Sequence, residues 1–344
     1  MAEPDVARAR IPVPARRLTP PALAQILAPI EEDLLSVERE LRRSLGSDIE
    51  IIRTVGQYLS EGGGKRIRPA LLLLCAKMCG YRGDRHILFA TVFEIIHTAT
   101  LVHDDVIDGS SLRRGRSTVH ARWGNHLTVL LGDHLYLTAM NAALTAGDLQ
   151  LIRVLSDITL EMIRGEIMQA HGNGRADVTE AEHLEVMRRK TALLFAGCSR
   201  VAGLLSDAPA DRVENLDGFG LNLGMAYQIV DDLLDFTADQ AVLGKPVAND
   251  LREGRLTLPL IYLLELGEKK HLDMVRAVLE DRDFSRVSLA EIMGEMERHA
   301  TLKRTRALAL SYSDRARAFL APFPDGPARR ALENACDFIT ARSF

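Results

Sequence analysis

The chain has 344 residues, of which 47% are hydrophobic and 26% are charged, and its formal net charge is −4. This is the composition of an ordinary soluble globular protein. Neither the net charge nor the 5% of aromatic residues is typical of a nucleic-acid-binding protein, and we expect no such partner. The longest apolar run, around residues 70–76, is far shorter than the ~20 residues of a transmembrane helix, so we expect no membrane span.

Residues 1–22 contain five prolines among scattered arginines, a composition that predicts a flexible tail. From residue 23 to residue 344, apolar side chains recur at helical spacing between glycine- and proline-rich breaks, and no stretch alternates as a strand would. No linker or internal repeat divides this region. We therefore predict an all-α fold, in which one domain is built as a bundle of ten or more helices.

Four cysteines and the lack of a signal-peptide pattern at the start predict reduced thiols and a cytoplasmic location.

Residues 62–69 read GGGKRIRP. Glycines allow a ligand to approach the backbone closely, and Lys65, Arg66 and Arg68 supply charge and donors that suit phosphate. A Walker-type loop would require Ser or Thr after the lysine, where Arg66 stands. The segment is therefore either a different kind of phosphate site or an exposed basic loop.

Residues 101–118, LVHDDVIDGSSLRRGRST, place three acids inside an apolar helical run. Asp104 and Asp108 are four residues apart and would share one face of a helix, with Asp105 on an adjacent edge. Like charges at this spacing repel each other, and a divalent cation between them would remove the repulsion. A solvated helix end is the alternative interpretation.

A second copy of this pattern, QIVDDLLDF at 228–236, contains Asp231, Asp232 and Asp235. Two such clusters in apolar helices are hard to explain as surface charge. We expect the two helices to face each other and to hold several Mg²⁺ ions between them. Such a site predicts a highly anionic ligand, above all a diphosphate.

Further basic residues follow the acidic clusters, and they would suit a second anion that is held mainly without metal. His97 lies seven residues before Asp104 and so near the same helix face, although a core histidine is an equal alternative. Lys190 precedes Thr191, and a further basic segment, GKPVANDLREGRLTLP, spans residues 244–259. The basic residues concerned are Arg113, Arg114, Lys190, Lys245, Arg252 and Arg255.

Taken in order, these five motifs resemble those of the trans-isoprenyl diphosphate synthases, the polyprenyl synthetase family, over roughly residues 30–340. The resemblance implies an all-α bundle around a deep central cavity, and a homodimer. It also implies a Mg²⁺-dependent prenyltransferase that joins isopentenyl diphosphate head to tail to an allylic diphosphate, such as farnesyl diphosphate, and releases pyrophosphate.

The resemblance also implies residue roles. Metal binding falls to Asp104, Asp108 and Asp231, assisted directly or through water by Asp105, Asp232 and Asp235. Isopentenyl diphosphate would bind to Lys65, Arg68, His97 and Arg114, and the allylic diphosphate to Arg113, Lys190 and Lys245. Thr191 and Gln228 would line the reacting centre. Arg255 stands where the family more often has lysine, which keeps the charge of a substrate-binding group but changes its geometry.

Product length is predicted from the residues before Asp104. In this family an aromatic side chain near positions 99–100 forms a floor that stops chain growth, whereas Ala99 and Thr100 are small and follow Ile96. The first acidic cluster also has the spacing of long-chain members. We therefore predict a product of about C40–C50, such as octaprenyl or decaprenyl diphosphate, a precursor of the ubiquinone side chain. A shorter geranylgeranyl or farnesyl product is the alternative, and an aromatic residue at position 99 is expected to shorten the product.

Three other classes fit less well. A terpene cyclase would not need the GGGKRIRP site for a second diphosphate, and a head-to-head synthase lacks these motifs. A non-catalytic subunit of a heteromeric synthase would usually lose its acids, and both clusters are intact here. Because the product is a lipid, loose membrane association stays compatible with the sequence.

Overall fold

The computed structural model describes residues 22–113, 115–237 and 247–342, and these residues are overwhelmingly helical. The predicted all-α bundle of ten or more helices is confirmed. Three predictions lie outside the described residues: most of the tail at 1–22, Arg114 and Lys245.

The first half of the chain forms one short hairpin among helices. Its strands are β1 (Leu112–Arg113) and β2 (Arg116–Ser117), and they pair antiparallel. A 3₁₀ turn, Ala28–Ile30, joins the first two helices. The helices are α1 (Leu23–Leu27), α2 (Glu31–Ser44), α3 (Glu50–Glu61), α4 (Ile67–Met78), α5 (Arg85–Ile107), α6 (Val119–Trp123), α7 (Asn125–Leu144) and α8 (Leu149–Gly172).

The second half begins with a π-helical turn, Arg188–Ala192, between two α-helices. The helices are α9 (Glu180–Met187), α10 (Leu193–Leu205), α11 (Ala210–Thr237), α12 (Asn249–Arg252), α13 (Leu258–Leu264), α14 (Lys269–Asp281), α15 (Leu289–Arg298), α16 (Thr301–Phe319) and α17 (Pro327–Thr340).

Helices α4, α5, α10 and α11 form the centre of the bundle, with α7 packed on α5 and α16 on α11. They are apolar on more than one face, as a helix surrounded by others must be. Helix α5 has the length and mean hydropathy, 1.3, of a membrane span. However, Phe89, Phe93 and Ile96 on it are buried against the other helices, so its apolar character is that of a core helix.

A smaller apolar core lies beneath the segment that follows α11. Leu251 and Leu256 pack there with Val275 of α14 and with Ile292 and Met296 of α15. This second core fixes the position of residues 248–257, which carry part of the site described below.

Two glycines let α11 approach the chain before and within α10. A Cβ added at Gly220 would lie 2.5 Å from the carbonyl oxygen of Phe195, and one at Gly224 would lie 2.7 Å from Cα of Ala192. Real Cβ atoms do not come this close to backbone, so these positions require glycine at this helix spacing. The close packing brings the second acidic cluster of α11 toward the π-helical turn.

Candidate active site

Asp104 lies one turn before the end of α5, where it is largely buried. Its Oδ2 is 3.8 Å from Nζ of Lys190, which also lies 2.5 Å from Oε2 of Glu166. Burial raises the pKa of Asp104 to about 6, opposed by Lys190 and reinforced by Glu166 and Asp108. An additional positive charge at this place would stabilise the ionised form of the carboxylate.

Asp105 points to the hairpin. Its side chain is buried, and Oδ1 accepts a hydrogen bond of 2.8 Å from Nε of Arg113. The pair joins the end of α5 to β1 and so positions both residues at the edge of the site.

The second cluster divides in a similar way. Asp231 is half exposed, and its Oδ1 lies 3.5 Å from Nη1 of Arg342. Asp232 is buried, with Oδ2 2.8 Å from Nε2 of His183 and accepting a hydrogen bond of 3.2 Å from the backbone N–H of Leu258. Burial raises the pKa of Asp232, and His183 opposes that rise.

Asp235 caps helix α12. Its carboxylate accepts hydrogen bonds from the backbone N–H groups of Asn249, at 3.1 Å, and Asp250, at 3.3 Å. Burial, together with repulsion from the Asp250 carboxylate, raises the pKa of Asp235 to about 8. The interaction ties the second cluster to the segment after it.

Arg255 connects the first cluster to the segment that follows the second cluster. Its Nη1 donates to Oδ1 of Asp108 at 2.9 Å, and its Nη2 donates to Oδ1 of Asp250 at 2.7 Å and to Glu253. The guanidinium spreads these contacts over a planar fork of nitrogens, a geometry that the single ammonium nitrogen of lysine does not share. The predicted substrate-binding position thus lies beside Asp108, and Arg255 lines the smaller cavity together with Asp231.

The π-helical turn presents Lys190 and Thr191 to the same place. Thr191 Oγ1 donates to Oε1 of Gln228 at 3.0 Å. Such turns widen the helix by one residue and are frequent at functional sites. Gly165 of α8 lies against the turn, and a Cβ there would be 2.8 Å from the backbone nitrogen of Lys190.

Two cavities meet at these residues. One, of about 330 Å³, is lined by Asp108, Asp250 and Arg255. The other, of about 640 Å³, is lined by Asp104, Arg68, His97, Arg113 and apolar side chains of α5 and α8. Both are lined by Lys190, Thr191, Gln228 and Asp231. The predicted central cavity therefore has a polar part and a larger, mainly apolar part.

The three basic residues of GGGKRIRP have different surroundings in the structure. Arg68 lines the larger cavity. Lys65 is exposed, with Nζ 6.0 Å from the ring centre of Phe338. Arg66 is largely buried, and its Nη1 donates to Oε1 of Glu94 at 2.7 Å, so its charge serves the packing of α4 against α5.

The three predicted chain-length residues also have different surroundings. Thr100 lines the larger cavity, whereas Ala99 is 3% exposed and Ile96 is 1% exposed. Within the described residues, neither of these two lines that cavity. The reason is helical geometry, because Thr100 is rotated only about 40° from Asp104 and Ala99 about 140°. Of the three predicted chain-length residues, Thr100 is therefore the one that borders the larger cavity in the described part of the chain.

Three site residues were not predicted from the sequence: Glu166, His183 and Asp250. Glu166 is an acid at helical spacing from Met162 and Ile163, which was a usable signal. Asp250 stands inside the basic segment at 244–259, for which the sequence predicted only basic site residues. His183 is recognisable only through its contact with Asp232.

The donor set suits a hard cation. Asp104, Asp108 and Asp231 offer only carboxylate oxygens, which is the ligand type of Mg²⁺. Burial raises the pKa of Asp104, and a bound cation would favour its ionised form again.

An all-α bundle in which two aspartate clusters and basic side chains surround two adjoining cavities, the larger of them mainly apolar, defines an enzyme that transfers prenyl groups from diphosphates. A family model described as Polyprenyl synthetase matches residues 49–296, and the chain belongs to the polyprenyl synthetase family.

Relatives cover nearly the whole chain. Octaprenyl diphosphate synthase from Escherichia coli is 38% identical over 301 residues, which is 88% of this chain and 93% of the relative. The crystal structure of a decaprenyl diphosphate synthase from Rhodobacter capsulatus has a TM-score of 0.88 at 36% identity, covering 93% of this chain and 99% of that one. A polyprenyl synthase from Caulobacter crescentus, complexed with calcium and isoprenyl diphosphate, has a TM-score of 0.90 at 32% identity, covering 95% and 99%.

Proposed function

We propose that this protein is a Mg²⁺-dependent trans-polyprenyl diphosphate synthase, which adds isopentenyl diphosphate units to an allylic diphosphate and releases pyrophosphate. The observation that carries the proposal is the pair of aspartate clusters at the junction of a polar and an apolar cavity. The relatives named as octaprenyl and decaprenyl diphosphate synthases support it.

Asp104, Asp108 and Asp231 would hold the metal ions, and the calcium in the Caulobacter crescentus relative supports a divalent cation in this family. When bound, Mg²⁺ neutralises charge on the allylic diphosphate and so makes it a better leaving group. Asp105 and Asp232 have protein partners that orient them, so we assign them a supporting role.

The chain's own cations would hold the two diphosphates. Lys190 and Arg113 lie beside the first cluster and can bind the allylic diphosphate, where they stabilise the charge that develops on its departing oxygen. Arg68 and His97 line the same cavity farther along α4 and α5 and can hold isopentenyl diphosphate. This arrangement would place C4 of isopentenyl diphosphate near C1 of the allylic substrate.

Bond formation then follows from charge. The C1–O bond breaks, pyrophosphate takes the electron pair, and the double bond of isopentenyl diphosphate attacks the allylic cation through C4. The new cation loses a proton, for which we propose the departing pyrophosphate as acceptor. Apolar side chains of the larger cavity exclude water that would quench the cation, while Thr191 and Gln228 hold the polar boundary.

Chain length would be set by the room beyond Thr100. The larger cavity, about 640 Å³, is bordered there by the small Thr100 and by Thr159, Met162 and Ile163 of α8. No phenylalanine, tyrosine or tryptophan stands between Thr100 and Asp104 on α5. We propose a product of about C40–C50, which would be a quinone side-chain precursor.

We also propose a homodimer, because α7 and α8 carry a run of exposed apolar side chains. A monomer rarely exposes such a contiguous face. Val129, Ile163 and Ile167 belong both to this face and to the wall of the larger cavity, so a second copy would complete that wall. The exposed residues are Val129, Leu130, Leu137, Leu144, Leu149, Leu160, Ile163 and Ile167.

A cytoplasmic location is the remaining part of the proposal. All four cysteines are free, and burial raises the pKa of Cys198 and Cys336, which keeps both as unreactive thiols. Free buried thiols are typical of proteins from a reducing compartment.

The direct test is incubation of the purified protein with Mg²⁺, farnesyl diphosphate and labelled isopentenyl diphosphate, followed by chromatography of the products. We expect all-trans products of about C40–C50 and no turnover after chelation of the metal. A cyclic hydrocarbon, or no incorporation of label with Mg²⁺ present, would refute the proposal.

A further inference from the structure

A cluster of histidine and carboxylate groups lies at two helices of the smaller core, where one of the three residues is buried and another is exposed. His271 of α14, His299 at the end of α15 and Glu268 before α14 each offer a ligand atom, and the three atoms lie within 4.8 Å of one another. Among the described residues that line either catalytic cavity, none belongs to this cluster.

The carboxylate of Glu295 organises the cluster. Its Oε1 accepts hydrogen bonds of 2.7 Å from both Lys270 and Arg298. Its Oε2 lies 3.0 Å from Nε2 of His271 and 3.7 Å from Nε2 of His299. A carboxylate that holds one nitrogen of a histidine and so presents the other is the common support of metal-binding histidines.

A second observation points to a missing ligand. His271 is completely buried, and its Nδ1 has no hydrogen-bond partner among the described residues. A buried polar atom without a partner is costly. One nitrogen of His271 is bound to Glu295, and the other has no hydrogen-bond partner among the described residues, so a ligand at that nitrogen would satisfy the ring.

We propose that one nitrogen from each of His271 and His299 and one oxygen from Glu268 bind a first-row transition-metal ion such as Zn²⁺. Two imidazoles and a carboxylate form a ligand set that suits this class of metal. The set differs in kind from the oxygen-only aspartates of the diphosphate site, so the two sites select different metals.

The bound ion would connect α14 to α15. Both helices pack under residues 248–257, which carry Asp250 and Arg255. The metal would therefore stabilise the platform of one half of the active site without touching substrate. Its role would be structural, because none of the three ligands is among the described residues that line the two catalytic cavities.

Cobalt provides a probe that separates the two sites. Co²⁺ in a four-coordinate nitrogen–oxygen site absorbs visible light far more strongly than Co²⁺ surrounded by six oxygens. The full-length protein is freed of metal by a chelator, kept in excess Mg²⁺, and titrated with Co²⁺, while equilibrium dialysis counts the Zn²⁺ ions bound per chain.

The wild type should show the intense absorption, whereas His299→Gln and Glu268→Gln should lose it and bind one Zn²⁺ fewer. Glu297→Gln removes an exposed charge from α15, the helix that ends just before His299, and should behave as the wild type. All variants should retain prenyl transfer with Mg²⁺, which reports that they fold. Absence of the band in the wild type, or an unchanged band in both ligand variants, would overturn the proposal.

Discussion

At the scale of single residues, the aspartates of the site differ in the protein groups that contact them. The buried Asp105 and Asp232 are bound to Arg113 and His183, whereas Asp104 is partly buried, lies 3.8 Å from Lys190 and has its pKa raised to about 6. The family resemblance implies metal binding by Asp104, Asp108 and Asp231 and an assisting role for Asp105 and Asp232. The structure gives these two assisting acids protein partners of their own.

Replacing Asp104 with Ala should lower kcat by at least about a thousandfold, because the residue supplies charge for the metal at the leaving group. The measurement is incorporation of labelled isopentenyl diphosphate at saturating Mg²⁺. Asp273→Ala removes an exposed acid from α14 and should keep wild-type turnover. Comparable turnover in the two variants would remove Asp104 from the metal site.

Thr100→Phe should shorten the product, because residue 100 lines the larger cavity. Ala99→Phe is the matched comparison. Since Ala99 is 3% exposed and packed in the core, the larger side chain should destabilise the fold by about 1–3 kcal/mol. Product chromatography and thermal unfolding of both variants test this assignment. Shortening by Ala99→Phe alone, with normal stability, would return the floor to position 99.

At the scale of elements, the π-helical turn depends on the helices around it. Arg189 on the turn donates to Glu185 of α9, and the same arginine pairs with Glu161 of α8. These contacts, together with Gly165, hold the turn so that Lys190 and Thr191 face the cavity. Sequence patterns indicated a helix here but not its widened turn, which depends on packing from three sides.

Gly165→Ala should push α8 away from the turn, since the new methyl group would meet backbone at 2.8 Å. We expect a loss of about 1–3 kcal/mol in stability and a fall in kcat of roughly tenfold as Lys190 shifts. Gly294→Ala is the control, because a Cβ there meets no atom within 4 Å. This variant should gain up to about 1 kcal/mol from helix propensity. Chemical unfolding measures the stability of both variants, and steady-state kinetics measures their kcat.

The ion pairs of Glu185 make the stability of the region around the π-helical turn depend on pH. Hydrogen bonds from Arg188 lower the pKa of Glu185 to about 2, below its ordinary value of 4.5. Because the folded pKa is the lower one, the stabilisation is complete above about pH 5 and is lost as the pH falls toward 2. Glu185→Gln should therefore cost about 0.5–1 kcal/mol near pH 7, after allowance for solvent screening, and less near about pH 3.

Urea unfolding at both pH values tests this expectation, with Glu297→Gln as the control for removing an exposed acid from a helix. A destabilisation by Glu185→Gln that grows as the pH falls would have the opposite sign and would contradict the assignment.

At the scale of the molecule, the larger cavity is only partly enclosed by one chain. Ile163 and Ile167 of its wall are 54% and 64% exposed. Association through α7 and α8 would bury these side chains and close the cavity. Oligomeric state and product length should thus be linked.

The combined variant Leu130→Glu and Leu137→Glu should weaken self-association by at least about a hundredfold, because it would bury unpaired charges at the contact. Sedimentation analysis should show monomers, and the products should become shorter or scarcer. Leu35→Glu places the same charge on an exposed apolar position of α2 and should leave the assembly unchanged. Dimers in the double variant would exclude this face as the interface.

Local sequence was sufficient for the helical fold, the two acidic clusters and the family. Helical periodicity and ordered motifs are properties of short stretches, and their physical causes act over a few residues. Tertiary structure was needed to show that Arg66 neutralises Glu94 while Arg68 reaches the cavity, and that Thr100 rather than Ala99 borders it. It also revealed Glu166, His183 and Asp250. These roles depend on which groups other helices bring within hydrogen-bonding distance, and a single stretch of chain does not contain that information.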